Sequence, residues 1–187
     1  MSTDQSLTEL QFTVSGRISR PCAEVYEAVA DPAQLSKYFT TGGATGRLET
    51  GKVATWDFHD FPGAFPVTVV EAVPNERIVI RWGGDDTTDA SGTTTTTFEF
   101  EPIDGDTRTL VTITESSWKP TPTGAERAFD NCMGWTGMLA ALKVWLEHGI
   151  NLRDGFYASR APTNRSGPSR RLTRPRAGRT APHVASM

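Results

Sequence analysis

The sequence predicts an α+β domain: a strongly curved antiparallel sheet wrapped around one long C-terminal helix, with two short helices after the first strand. Three observations carry that expectation. Gly124 to Asn151 is the only stretch in which apolar spacing persists over several helical turns. Between Val53 and Glu115 the chain reads as strands divided by turns, and such short connections imply antiparallel neighbours. A single-layer sheet with one apolar face must be covered, and only that helix is long enough to cover it.

Taken in order, Leu10, Phe12, Val14, Gly16 and Ile18 alternate with polar residues, the mark of a strand with one buried face. Pro21 ends the strand and suits the first turn of a helix, where its missing N–H is not needed. Val25, Ala28 and Val29 give that helix an inner side, Asp31-Pro32 breaks it, and a second short helix carries Leu35, Tyr38 and Phe39. The run Gly42-Gly43-Ala44-Thr45-Gly46 reads as a loop. Strands are then expected around Trp56 and Phe58, over Phe65–Val73, Arg77–Trp82, Thr93–Glu101 and Leu110–Glu115. The turns between them fall at Phe61-Pro62-Gly63, Pro74-Asn75, the Gly83–Gly92 loop and Asp104-Gly105-Asp106. Pro120-Thr121-Pro122 forces an extended link into the long helix. In that helix Ala128, Cys132, Trp135, Leu139, Leu142 and Leu146 lie within roughly 40° of one line, flanked by Met138, Trp145 and Phe129. Glu126, Asp130, Gly137, Ala141 and His148 take the far side.

Charge divides the chain. Residues 159–187 hold seven Arg and no acid, whereas residues 1–158 hold the other 12 basic residues and all 22 acidic ones. The body is therefore at −10 and the tail at +7. Residues 1–9 read as an N-terminal extension, 10–158 as the folded domain and 159–187 as a disordered tail, because the tail cannot bury enough apolar surface to offset its ordering entropy. Its arginines suit weak contacts with anionic partners or with the acidic body. No stretch has the length of a signal peptide core or a membrane span, so a cytoplasmic protein is expected. Cys22 and Cys132 have no metal-ligand spacing and read as buried or half-buried thiols.

Ile18-Ser19-Arg20-Pro21 followed by Val25-Tyr26-Glu27-Ala28-Val29-Ala30-Asp31-Pro32 and Leu35 resembles the first strand and helix pair of the SRPBCC (START-like) superfamily. Val70 to Trp82 resembles its central hairpin. Gly134-Trp135, with Leu139, Leu142, Leu146 and Glu147, resembles the final helix of the branch typified by the C-terminal domain of the heat-shock-protein ATPase activator. The likeness spans about residues 10–157. It implies a helix-grip fold with a cavity between sheet and helix that holds a hydrophobic small molecule. It fixes no reaction, since one fold hosts many functions.

The residues expected to line that cavity are Trp56, Phe58, Val67, Val69, Ile80, Trp82, Phe98, Phe100, Ile113, Phe129, Trp135, Met138, Leu139 and Leu142. Glu115, closing the last strand, is the candidate polar anchor. Gly134 and Gly137 either admit close backbone approach or leave room for a ligand, and Gly137 equally fits as a glycine tolerated on the solvent side. His59 sits beside Asp57 and Asp60, but strand phase turns it outward; His148 suits the helix C-terminus. No nucleophile elbow, phosphate loop or zinc pattern is present, so no catalytic residue, metal or cofactor is assigned. The expectation is a non-catalytic or weakly catalytic binder, monomer or homodimer. A cyclase or dehydratase acting in the same cavity and a co-chaperone-like interaction module stand as alternatives.

Overall fold

A computed structural model of the chain describes residues 7–84 and 86–156. The expected tail and most of the N-terminal extension lie outside the described residues. In order come β1 (Leu10–Ile18), α1 (Cys22–Ala30), α2 (Pro32–Leu35), β2 (Gly43–Thr45), β3 (Val53–Phe58), β4 (Phe61–Val73), β5 (Arg77–Gly83), β6 (Thr93–Ile103), β7 (Arg108–Trp118) and α3 (Pro122–His148). The seven strands form one open antiparallel sheet in the order β1-β7-β6-β5-β4-β3-β2. Helix α3 lies across its apolar face, so the α+β helix-grip expectation holds.

Local chemistry explains the boundaries. Asp31 caps α2 by accepting the Ala33 N–H at 2.9 Å. The tight β6–β7 hairpin turns through positive φ at Asp104, Gly105 and Asp106, and Asp106 Oδ1 accepts the Cys22 N–H at 2.8 Å, tying the hairpin to the start of α1. Thr121 caps α3 by accepting the Gly124 N–H at 3.0 Å, and Gly149 ends it with φ 69°.

Three expectations need correction. Pro122 is the first residue of α3 rather than part of an extended link, because a proline costs nothing where no N–H is required. The Gly43–Thr45 stretch is a short edge strand paired to β3 rather than a loop. Its backbone finds partners in Thr55–Asp57, a non-local pairing that glycine content conceals. The β3–β4 turn falls at His59-Asp60, and Phe61 already belongs to β4, pairing with Phe58; the positive φ of Gly63 (98°) lies within the strand instead of ending it.

Two features position the helix. Gly16 on β1 has no side chain to hold α3 off: an added Cβ would lie 3.0 Å from Leu139 Cδ2. At the far end Lys143 Nζ donates to the Arg17 carbonyl at 3.0 Å, and Glu147 Oε1 accepts the Ser19 N–H at 2.6 Å. In β7, Ser117 adopts φ 77° where the β1 register slips. That bulge lets Glu115 and Trp118 both face the interior although they are three residues apart.

Two of the three α3 glycines should behave oppositely. A Cβ on Gly124 would sit 2.1 Å from the Lys119 carbonyl oxygen, whereas one on Gly134 meets nothing within 4 Å. Gly124→Ala is expected to lower stability by about 1–3 kcal/mol through that backbone clash, and Gly134→Ala to raise it by about 1 kcal/mol through helix propensity. Equilibrium denaturant unfolding of both variants checks the pair.

Candidate ligand-binding site

Strand alternation brings one side chain in two to the face beneath α3. Trp56, Phe58, Val67, Val69, Ile80, Phe98, Phe100 and Ile113 are buried there, and Trp135, Met138, Leu139 and Leu142 are buried from the helix side. Trp82 reaches the same face but stays half-buried. Trp135 is the common neighbour: the rings of Phe39, Trp56, Trp82 and Phe98 all lie between 5.3 and 6.4 Å from it, centroid to centroid. Phe58, Phe65 and Trp82 stack in series toward the sheet's edge, at 5.9 and 5.6 Å. The space directly beneath Trp135 is therefore occupied by rings, not left as the open hollow the sequence suggested.

Phe129 does not join this set. It is 73% exposed, while Ala141, expected outside, is 1% exposed. Both corrections have one cause. The helix is rolled by roughly 50° from the line of best apolar spacing, toward Asn131 and Met138, because Trp135 and Asn131 have a polar partner in the sheet. The segment after α3 then folds back, and Leu152, Arg153 and Phe156 cover Ala141.

That polar partner is Glu115, fully buried at 0% exposure. Its Oε2 accepts the Trp135 Nε1–H at 2.5 Å and its Oε1 accepts an Asn131 Nδ2–H at 3.1 Å. Burial pushes the carboxyl above its usual range, and the surrounding donors Thr94, Trp135, Asn131 and Trp82 oppose that shift without cancelling it. The Thr94 hydroxyl is one of three buried side-chain polar atoms with no hydrogen-bond partner among the described residues, with Trp56 Nε1 and Trp118 Nε1. Thr96 accepts the Trp82 Nε1–H at 3.0 Å. Within an aromatic interior the protein thus maintains an ionisable group with incompletely satisfied neighbours, an arrangement suited to holding the polar end of a guest or to moving a proton.

The model of the family described as "Activator of Hsp90 ATPase homolog 1-like protein" matches residues 19–147. The chain belongs to that family. No curated protein sequence matches it. Among solved structures, protein SSP2350 from Staphylococcus saprophyticus is 24% identical with a TM-score of 0.63, over 77% of this chain and 96% of that one. DynU16, a protein in the dynemicin biosynthetic locus, is 26% identical with a TM-score of 0.62; 76% of this chain matches 49% of it. The Aha1 dimer of Colwellia psychrerythraea is 23% identical with a TM-score of 0.60, over 75% and 98% of the two chains.

Sequence reading of this Activator of Hsp90 ATPase homolog 1-like chain missed Phe39, Phe65, Thr94 and Thr96. The threonines were legible in principle, since period-two spacing from Phe98 and Phe100 sends them inward. Phe39 was expected on the second short helix with Leu35 and Tyr38, but α2 ends at Leu35, and the turn that follows it carries the Phe39 ring to Trp135. Arg153, beyond the last helix, was also missed. Its guanidinium pairs with Asp60 at 3.2 Å, donates to the Phe39 carbonyl at 3.3 Å, and stands 5.4 Å from the Phe58 ring.

His59 is exposed, as phase required, and only its backbone N–H is engaged, by Thr41 Oγ1 at 2.8 Å. His148 is exposed at the end of α3. The described residues contain no grouping suited to a metal ion and no helix able to cross a membrane. Cys22 is buried and Cys132 half-buried, both unpaired to sulfur. A depression of about 300 Å³ bordered by Glu76, Arg77, Glu99 and Glu101 lies on the opposite, outer face of the sheet.

The buried carboxyl makes stability depend on pH. With its folded pKa raised above the unfolded value, Glu115 contributes stability that is full below its ordinary value of 4.5 and lost as pH rises through the raised value. Glu115→Gln keeps an oxygen for Trp135 but cannot ionise. Denaturant titrations should show the wild type losing stability relative to this variant as pH climbs from 4.5 toward neutrality; parallel curves would refute it. Glu115→Ala leaves the indole N–H unpaired and should be less stable than the Gln variant by about 1–3 kcal/mol.

Proposed function

We propose that the protein binds an apolar, ring-bearing small molecule between the sheet and α3, with Glu115 as its polar anchor. The observation that carries this reading is Glu115 itself. An ionisable group at 0% exposure among aromatic rings carries a desolvation cost that its donors Trp135 and Asn131 offset only in part. Binding sites of this kind combine apolar walls with a few placed polar groups, which is the composition found here. Family membership and the helix-grip architecture support it. Because rings fill the space below Trp135, a guest enters by displacing the half-buried Trp82 and Phe65 at the lip, and the aromatic stack reorganises around it.

The same carboxyl supports a second reading, an enzyme in which Glu115 donates or accepts a proton. Burial brings its pKa toward the range where a carboxyl works as a general acid or base near neutral pH. Cytoplasmic location, domain limits of 10–158 and weak anionic contacts of the Arg-rich segment complete the proposal.

Titration with naphthalene and 1-naphthol, followed by tryptophan emission, separates these ideas. Saturable binding of both is expected, with 1-naphthol preferred because its hydroxyl donates to Glu115. Glu115→Leu should erase that preference, a change of about ten- to a hundredfold in relative affinity, while still binding naphthalene. Absence of saturable binding by either probe would defeat the proposal.

A further inference from the structure

The outward side of α3 carries a second apolar line. Phe129, Met133, Gly137, Ala140 and Val144 follow in steps of four, four, three and four, within roughly 40° of a common line facing away from Trp135. Phe129 is 73% and Met133 58% exposed. Of the eight large apolar residues exposed among the described residues, five lie on α3 or just after it: these two, Ile150, Leu152 and Phe156. A helix apolar on two faces calls for cover on both. The C-terminal half of the line borders a hollow of about 40 Å³ between Gly137, Ala140, Ala141 and the Leu152–Phe156 turn. That is room for only about three water molecules, so it accepts a side-chain tip and not a small-molecule ligand.

We propose that this face is the contact of a symmetric dimer, in which α3 packs antiparallel against α3 of a second copy about a twofold axis at Gly137. The face is complementary to itself only in that arrangement. Its large tips, Phe129 and Met133, lie on one side of Gly137, and its small residues and hollow lie on the other. Antiparallel pairing seats each Met133 in the partner's hollow and lays each Phe129 over Val144, as an isologous contact requires. Glu126 then meets His148, whose ring N–H donates to a carboxylate in either protonation state. Each helix's positive N-terminal end also falls beside the partner's negative C-terminal end. A parallel pairing would stack Met133 on Met133 and leave the hollow empty. Gly137, with no side chain at the axis, allows close approach.

Sedimentation velocity of the full chain over a concentration series tests this. The wild type is expected to dimerise reversibly, and Met133→Glu to raise the dissociation constant by about thirtyfold or more, as for a central hot spot. The unfolding midpoint of the Met133→Glu monomer should be unchanged, because the residue is exposed in the monomer. Gly137→Cys in a Cys132→Ser background should form a covalent dimer on oxidation. A dimer insensitive to Met133→Glu, or a dimer in which Gly137→Cys fails to cross-link, overturns the proposal. So does a monomer at every concentration, the result expected if residues 157–187 cover this face within one chain.

Discussion

Everything in this molecule depends on Trp135 being satisfied at both of its ends. Its ring needs apolar company and its N–H needs an acceptor, and a buried indole that lacks either is destabilising. The sheet supplies rings from β3, β5 and β6 and a carboxylate from β7, all on one face. Meeting both demands sets how α3 is rolled. It also decides which helix residues are hidden, and so which apolar residues remain for a second surface. Gly16 allows the approach, and the Lys143 and Glu147 contacts fix the end that Trp135 does not reach.

The element order was legible because period-two and period-3.6 spacing are strong where one face is buried. Phe98 with Phe100, and Ile78 with Ile80, announce their strands without help. What escaped had other causes. Gly43–Thr45 has the composition of a loop and becomes a strand only because β3 offers an edge. Pro122 looks like a breaker and is a starter, a distinction that rests on which backbone N–H groups need partners. Phe129 was misplaced because hydrophobic spacing averages over the whole helix, whereas the roll is set by one hydrogen-bonded pair. Glu115 was visible as an anchor, and its inward side follows from period-two spacing with Val111 and Ile113; what escaped was Trp118, turned inward by the Ser117 bulge, since no pattern in the sequence marks that serine for a positive φ.

An interior closed by rings differs from a preformed vessel. Aromatic faces slide and tilt at modest cost because their contacts are dispersive and weakly directional, and a series of stacked rings running to the edge offers a route along which one displacement is passed to the next. The fixed point in such an interior is the polar group. Glu115 cannot move far without abandoning two donors, so rearrangement pivots about it.

The return of the chain after α3 has a consequence of a different kind. Arg153 fastens the turn after α3 to Asp60 of the β3–β4 hairpin and to the Phe39 carbonyl, with its side chain only 12% exposed. A clasp so shielded is little weakened by salt. It stands over the ring of Phe58, which stacks on Phe65, so it would slow the entry and escape of a guest alike. Residence time would then be governed by the clasp, while the equilibrium affinity of whatever is held inside stays unaltered.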